Sequence, residues 1–249
     1  MPARKKWFFI HRWLALIVSL QLLAWSIGGF VFSILDIEDV RGNTDRASVL
    51  TKQLSVDQIA VTPREAMSAA KVNGLDQVTR IVLTNRLDRL VYELYKGSKP
   101  SCRVDATTGE FQETISQEDA KRIALSDFKH EANVRSVQLI TENPPGEYRG
   151  ELLPAYQVIL DHPREPHIYL SAVTGAVTKR RNSLWRTFDF FWMLHIMDYR
   201  GRQNFNHWLL SAMSVMAILT SSTGLVLWWW RIPRRRKREV ERAEVAMSQ

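Results

Sequence analysis

The sequence has a single cysteine, Cys102, so neither a disulfide framework nor a cysteine metal cluster can form within one chain. It lacks a glycine-rich phosphate loop, a His-Glu-x-x-His zinc motif and a Gly-x-Ser-x-Gly nucleophile elbow, which excludes enzymes built on those motifs. No flavin or nicotinamide fingerprint is present. Charge is missing locally as well. No charged residue lies between Trp13 and Leu35 or between Trp208 and Trp230. Each run of 23 residues spans about 34 Å as a helix, against a hydrocarbon core of about 30 Å. Both are expected to cross a membrane. The first is expected to be a retained anchor, because it outlasts the roughly 7–15 residues of a secretory apolar core and continues through "GGFVFSILDIED".

The charge that is present gives an orientation. Arg4, Lys5, Lys6 and Arg12 precede or open the first run, and Arg231, Arg234, Arg235, Arg236, Lys237 and Arg238 follow the second. Cationic flanks resist translocation, so both termini are expected in the cytoplasm and residues 36–206 outside, in the periplasm of a bacterial inner-membrane protein. The formal charge of +8 is concentrated in the tail "RIPRRRKR". Topology and anionic lipid headgroups account for that cluster, so membrane lipid is the expected partner and nucleic acid is not.

The exported segment repeats itself. "VYELYKGSKPSCRVDATTGEF" from Val91 matches "AYQVILDHPREPHIYLSAVTGAV" from Ala155, pairing Tyr92 with Tyr156, Ala106 with Ala172, Thr108 with Thr174 and Gly109 with Gly175. Each copy reads as a hairpin closing on a turn in which Gly supplies positive φ. Upstream of each lies a helix signal, "TPREAMSAA" and "SQEDAKRIAL", and Thr62 with Glu65 and Ser116 with Asp119 both fit a capping box. The expected unit is a helix packed on a small antiparallel sheet, present twice, over about residues 55–114 and 115–181.

These residues carry a resemblance. The two copies resemble tandem PepSY domains, "IHRWLALIVSLQLLAWSIGGFVF" is similar to the first helix of the PepSY-associated transmembrane family, and "LHIMDYRGRQNFNHWLLSAMSVMAILTSSTGLVLWWWR" to its second. The implied fold class is membrane α+β, two transmembrane helices flanking two tandem PepSY-like α+β units. The implied partition is a cytoplasmic start and first spanning helix over 1–35, units over 36–114 and 115–183, an interfacial helix and turn over 184–203, a second spanning helix over 204–231, and a basic cytoplasmic tail over 232–249. Family members include inner-membrane reductases for ferric siderophores, some carrying b-type haem. The resemblance places family histidines on His11 and His195, and family motif positions on Gly201, Thr223 and Gly224. The sequence departs from the family at Asp198, where a glycine is common, at Gly28-Gly29, where Thr-Gly is usual, and in having two spanning helices where the longer reductases have four.

His11 and His207 stand at opposite ends of the spans, roughly 30 Å apart, and cannot share one iron. "LWRTFDFFWMLHIMDY" reads as an interfacial helix that "RGRQN" turns back into the second span, bringing His195 and His207 to facing turns. Paired neutral imidazoles suit six-coordinate haem b iron, and Phe190, Phe191, Trp192 and Trp208 would cover a porphyrin face. His195, His207 and His11 are therefore the candidate haem-iron ligands, with a homodimer or larger membrane complex as a way to complete the pair. The alternative is that these imidazoles face headgroups and water. His162 and His167 read as a solvated hairpin loop and His130 as a surface residue. Small residues at Ser222–Leu225 and at Gly28-Gly29 are expected to let the two spans pack on each other. Two functions follow: a redox component, an oxidoreductase subunit passing electrons toward a periplasmic ferric chelate or partner, or an anchored accessory module for protein interaction or protease modulation with no cofactor.

Overall fold

The computed structural model describes the backbone of residues 2–48, 56–225 and 229, and the side chains of residues 12–48, 57–225 and 229. The chain forms two compact units, Leu35–Thr187 and a helical unit drawn from both ends, Met1–Ile34 and Phe188–Gln249. In the helical unit, α1 covers Pro2–Ile34 and α6 is helical over Trp208–Leu225. Both are long and apolar enough to cross a membrane, and only 11% and 6% of their apolar windows are buried by protein. In lipid a segment must satisfy its own backbone, which these uncharged sequences do as helices. The basic tail after Arg231 lies outside the described residues.

The central unit opens with the short helix α2 (Ile37–Val40) and holds two modules of the same design. In the first, α3 (Pro63–Val72) precedes a four-stranded antiparallel meander, β1 (Arg80–Arg86), β2 (Arg89–Lys96), β3 (Lys99–Asp105) and β4 (Phe111–Gln112). In the second, α4 (Gln117–Asp127) precedes β5 (Asn133–Ile140), β6 (Ala155–Asp161), β7 (His167–Ser171) and β8 (Val177–Arg181). The fold is thus membrane α+β, with two separate sheets.

The repeat is written in hydrogen bonds. Tyr92 donates its hydroxyl to the carbonyl of Val61 at 2.8 Å, and Tyr156 donates to Ile115 at 3.1 Å. Val61 N–H in turn reaches Ala106 O at 2.9 Å, and Ile115 N–H reaches Ala172 O at 2.7 Å. Each tyrosine therefore fixes the residue just ahead of a helix N-cap to the hairpin that the helix covers. The helices come close because small residues face the sheets: Ala66 and Ala70 in α3, Ala120 and Ala124 in α4, all fully buried. They rest on Tyr92, Leu94, Cys102 and Val104 in one module and on Tyr156, Val158, Ile168 and Leu170 in the other. Burial pushes the Cys102 thiol up to about 11, so it is an inert core residue.

Three features differ from the sequence reading. Thr62 and Glu65 form the reciprocal capping box, but at α4 only Ser116 caps, accepting from Asp119 N–H at 3.0 Å. The shorter Asp119 carboxylate instead faces Arg103 of the first module, 3.8 Å away. Residues 36–47, which the sequence pattern assigns to the first unit, bond to the second: Ala47 N–H donates to Asp127 O at 2.7 Å, Lys129 N–H to Asp45 O at 2.9 Å and Asn182 Nδ2 to Asp39 O at 2.8 Å. Here Asp39 is held below its ordinary carboxylate range by the Thr44 hydroxyl and by Arg164. The edge strands β1 and β5, between helix and hairpin, are additional to the expected hairpins.

Gly109 (φ +77°) and Gly175 (φ +71°) close the two turns, as the repeat requires. A Cβ on Gly175 would lie 2.8 Å from Ile123 Cδ1, whereas one on Gly109 would meet Val61 Cγ2 at an ordinary 3.5 Å. Gly175→Ala should therefore cost about 2 kcal/mol and Gly109→Ala about 1 kcal/mol, the difference being overpacking. Thermal unfolding of the detergent-solubilised full chain reads this, and equal shifts would show that contact with Ile123 is immaterial.

Candidate functional site

Helix α5 runs from Ser183 to Ile196, and its part beyond Thr187 belongs to the helical unit. Its aromatic residues lie lengthwise against α1. Phe188 meets Phe32 with ring centroids 4.7 Å apart, Trp192 stacks on His195 at 6.3 Å, and Phe32 presents its edge to His195 at 5.7 Å. Trp25 lies 6.2 Å from the same imidazole. A Cβ on Gly28 would come 3.9 Å from His195 Nδ1 and 3.8 Å from Phe191 O, so the glycine sits where the two helices approach.

Within this aromatic surround the His195 Nδ1 is buried and has no hydrogen-bond partner among the described residues. A buried polar atom left unpaired costs about 1–3 kcal/mol, so this nitrogen requires an explanation. The backbone around it is well provided for. Gln21 Nε2 donates to Leu194 O at 3.3 Å, Trp25 Nε1 to His195 O at 2.8 Å, and His207 Nε2 to Ile196 O at 2.9 Å. A helix leaves its last carbonyls unpaired, and here three consecutive ones receive side-chain donors.

His207 is thereby placed close to His195 in the chain's fold, but its nitrogens are committed. Nε2 serves α5, and Nδ1 accepts from Leu210 N–H at 3.4 Å in the first turn of α6. The imidazole caps two helices at once. His11 lies on α1, but its side chain falls outside the described residues. The six-residue spacing from Gly201 to His207 is organised by Asp198, whose carboxylate accepts N–H bonds from Arg200, Gly201, Gln203 and Asn204 at 2.9–3.3 Å. The bonds from Asn204, Gln203 and Gly201 hold its carboxyl down to about 2. A Cβ on Gly201 would stand 3.0 Å from Asp198 Oδ2, which is the local reason for glycine there. Arg202 reaches back to the buried carboxylate of Asp189, and Trp192 Nε1 donates to Arg202 O at 3.3 Å.

The remaining histidines belong to the central unit. His130 and His162 stack at 5.4 Å, and His130 Nε2 pairs with Asp45 Oδ1 at 3.0 Å. His167 is not a loop residue but opens β7, half-buried, bonded through Nδ1 to Glu147. Tyr169 also donates to Glu147, at 2.6 Å, and Arg186 lies 3.3 Å from its other oxygen. Burial alone would raise Glu147, but the bonds from His167 and Tyr169 and the charges nearby outweigh it and hold the carboxyl at about 2. Among the described residues no group of three His, Cys, Asp or Glu side chains is placed to hold a metal ion. A cleft of about 760 Å³ lies between the modules, lined by Leu83, Arg86, Asp88, Asp127 and Arg180 among others, and no histidine is among its described lining residues. Thr223 bonds back to its own helix, at 2.9 Å from Leu219 O, and nothing described lies within 4 Å of a Cβ on Gly224 or Gly29. Among the described residues, those small residues therefore make no close contact between the two spans; Gly28 meets α5 instead.

Sequence reasoning passed over Gln21 and Trp25, and read Asp198 as a departure from the family pattern without its role in the turn. The signal for Gln21 was available: it is the one amide side chain between Trp13 and Leu35, and an amide in a membrane span calls for a partner.

A protein-family model described as PepSY-associated TM region matches residues 8–244. No curated protein and no solved structure matches the chain.

Asp198 gives a pH dependence with a definite sign. Its folded carboxyl is depressed from 3.8 to about 2, so its contribution is complete above the ordinary value and is lost as pH falls toward about 2. Asp198→Ala should lower the melting temperature at neutral pH and flatten the acid limb of its pH profile, with a residual slope coming from the other depressed carboxyls, Glu147, Asp39 and Glu65. An unchanged acid limb would show that the ring of N–H bonds does not hold the turn.

Proposed function

Because the chain belongs to the PepSY-associated TM region family, we propose that it is a redox component of a bacterial inner membrane, with both termini cytoplasmic and the two α+β modules in the periplasm. His195 holds a b-type haem in this reading. The observation that carries it is the buried, unpaired Nδ1 of His195 inside an aromatic surround. An imidazole kept off hydrogen bonds is one whose ring is free to turn to a metal, and Trp25, Phe32 and Trp192 supply the apolar faces that a porphyrin needs. Bound haem would supply one-electron transfer, the chemistry that reduces a ferric chelate. The residues fit one axial ligand. His207 offers no free nitrogen in this arrangement, and His11 lies fourteen residues before Trp25 on α1, about 21 Å along the helix from the rings around His195, so a second ligand would come from the equivalent histidine of a second copy, which makes a homodimer the economical assembly.

A second reading has an observation of its own. His207, the other histidine of the hairpin, spends both nitrogens on backbone groups. That is what an imidazole in a purely structural helix junction does, and it favours an anchored module that contacts an exported protein without a cofactor.

An absorption spectrum separates the two. Detergent-purified protein expressed with haem precursor should show a Soret band that shifts on dithionite reduction; His195→Ala should abolish it, while His207→Ala should lower stability and leave the band in place. Colourless wild-type protein would favour the anchored module. The orientation has its own check: reporters fused at residues 60 and 249 should be active outside and inside the cytoplasm respectively, and an exported reporter at the C-terminus would end this topology.

A further inference from the structure

The contacts between α1 and α5 have an order. Going along α5 from Phe188 to Ile196, its partners on α1 run backward: Phe32, then Gly28, then Trp25 and Gln21. The two helices are antiparallel, and the nine residues of α5 from Phe188 to Ile196 cover about 12 Å of helix axis. That is roughly two-fifths of a hydrocarbon core. Helix α6 starts at the same level, since His207 bonds to Ile196 O. The polar turn between them climbs back: Arg202 returns to Asp189 and its carbonyl to Trp192, nearer the start of α5.

A helix end in water needs no side-chain donors, because water supplies them. At the end of α5, three consecutive carbonyls are taken by Gln21, Trp25 and His207, from two other helices. That is the solution required where water is excluded. The surface beside it is apolar and uncovered, with Trp208 79% exposed and Phe190 50% exposed. We propose that α5 from Phe191 to Ile196 is inserted among lipid acyl chains as a third, short membrane segment standing along α1, instead of lying flat in the headgroup plane. The inference is independent of any haem.

The test uses the full chain in liposomes of phosphatidylethanolamine and phosphatidylglycerol. Met193→Cys, Trp208→Cys and Tyr199→Cys are each labelled with bimane, the unsubstituted protein giving the background from buried Cys102. Bimane at 193 and 208 should be quenched by lipids carrying a nitroxide on the acyl chain and little by aqueous iodide, with the reverse at 199, where Tyr199 is 52% exposed on the polar turn. The free thiols at 193 and 208 should also react with a water-soluble maleimide about tenfold more slowly than the one at 199. Iodide quenching at 193 and 208 equal to that at 199 would overturn the proposal, because it places the end of α5 in water. Quenching by neither agent would overturn it too, because protein, a second copy included, and not lipid would then cover the segment. Two substituted positions on different helices keep the test intact if one variant fails to insert.

Discussion

A backbone carbonyl shielded from water must find a donor, and in this chain the donors come from side chains far away in sequence. Tyr92 and Tyr156 serve Val61 and Ile115 in the two modules. Gln21, Trp25 and His207 serve the end of α5. In both places a helix terminus is held by a residue of another element, so helix position and hydrogen-bond satisfaction are one requirement. Each such bond is worth only about 1 kcal/mol net. Leaving the carbonyl bare costs more than the bond gains, which makes the arrangement selective.

Against that background the exceptions are informative. Among the described residues only two buried side-chain polar atoms lack a partner, Arg186 Nη2 and His195 Nδ1. The Arg186 guanidinium is otherwise well engaged, with Glu147 at one nitrogen and Glu165 O at 3.1 Å from another. His195 has no such compensation, and its neighbours are the rings of Trp25, Phe32 and Trp192. A chain that caps three carbonyls in a row beside an imidazole it leaves unpaired marks that imidazole as the candidate site.

The two spans and the repeat were legible because they rest on residues with narrow physical roles: uncharged runs, glycines at positive φ, and tyrosines and N-caps at matching positions. Strands β1 and β5 were not, because they are edge strands whose half-buried residues scarcely alternate. His167 read as loop because the second copy's longer turn hides where β7 begins. The role of His207 was ambiguous in principle, since a neutral imidazole at an apolar edge suits a ligand and a helix cap equally, and only the carbonyl of Ile196 at 2.9 Å distinguishes them. The attachment of residues 36–47 to the second module depends on contacts across more than a hundred residues, such as Asn182 with Asp39, which local pattern does not carry.

Asp198 shows how one carboxylate can organise a turn. It gathers four N–H groups of the turn, and Gly201 makes room for it. The turn then delivers His207 to the last carbonyl of α5, and with Trp25 on the carbonyl before it the backbone of His195 is fixed from two sides. The conformation of an exposed polar turn thus sets the position of a buried imidazole. A cofactor ligand needs such support for its geometry, and a plain anchor needs it to end a helix away from water; what tells the two apart is the nitrogen that the support leaves free.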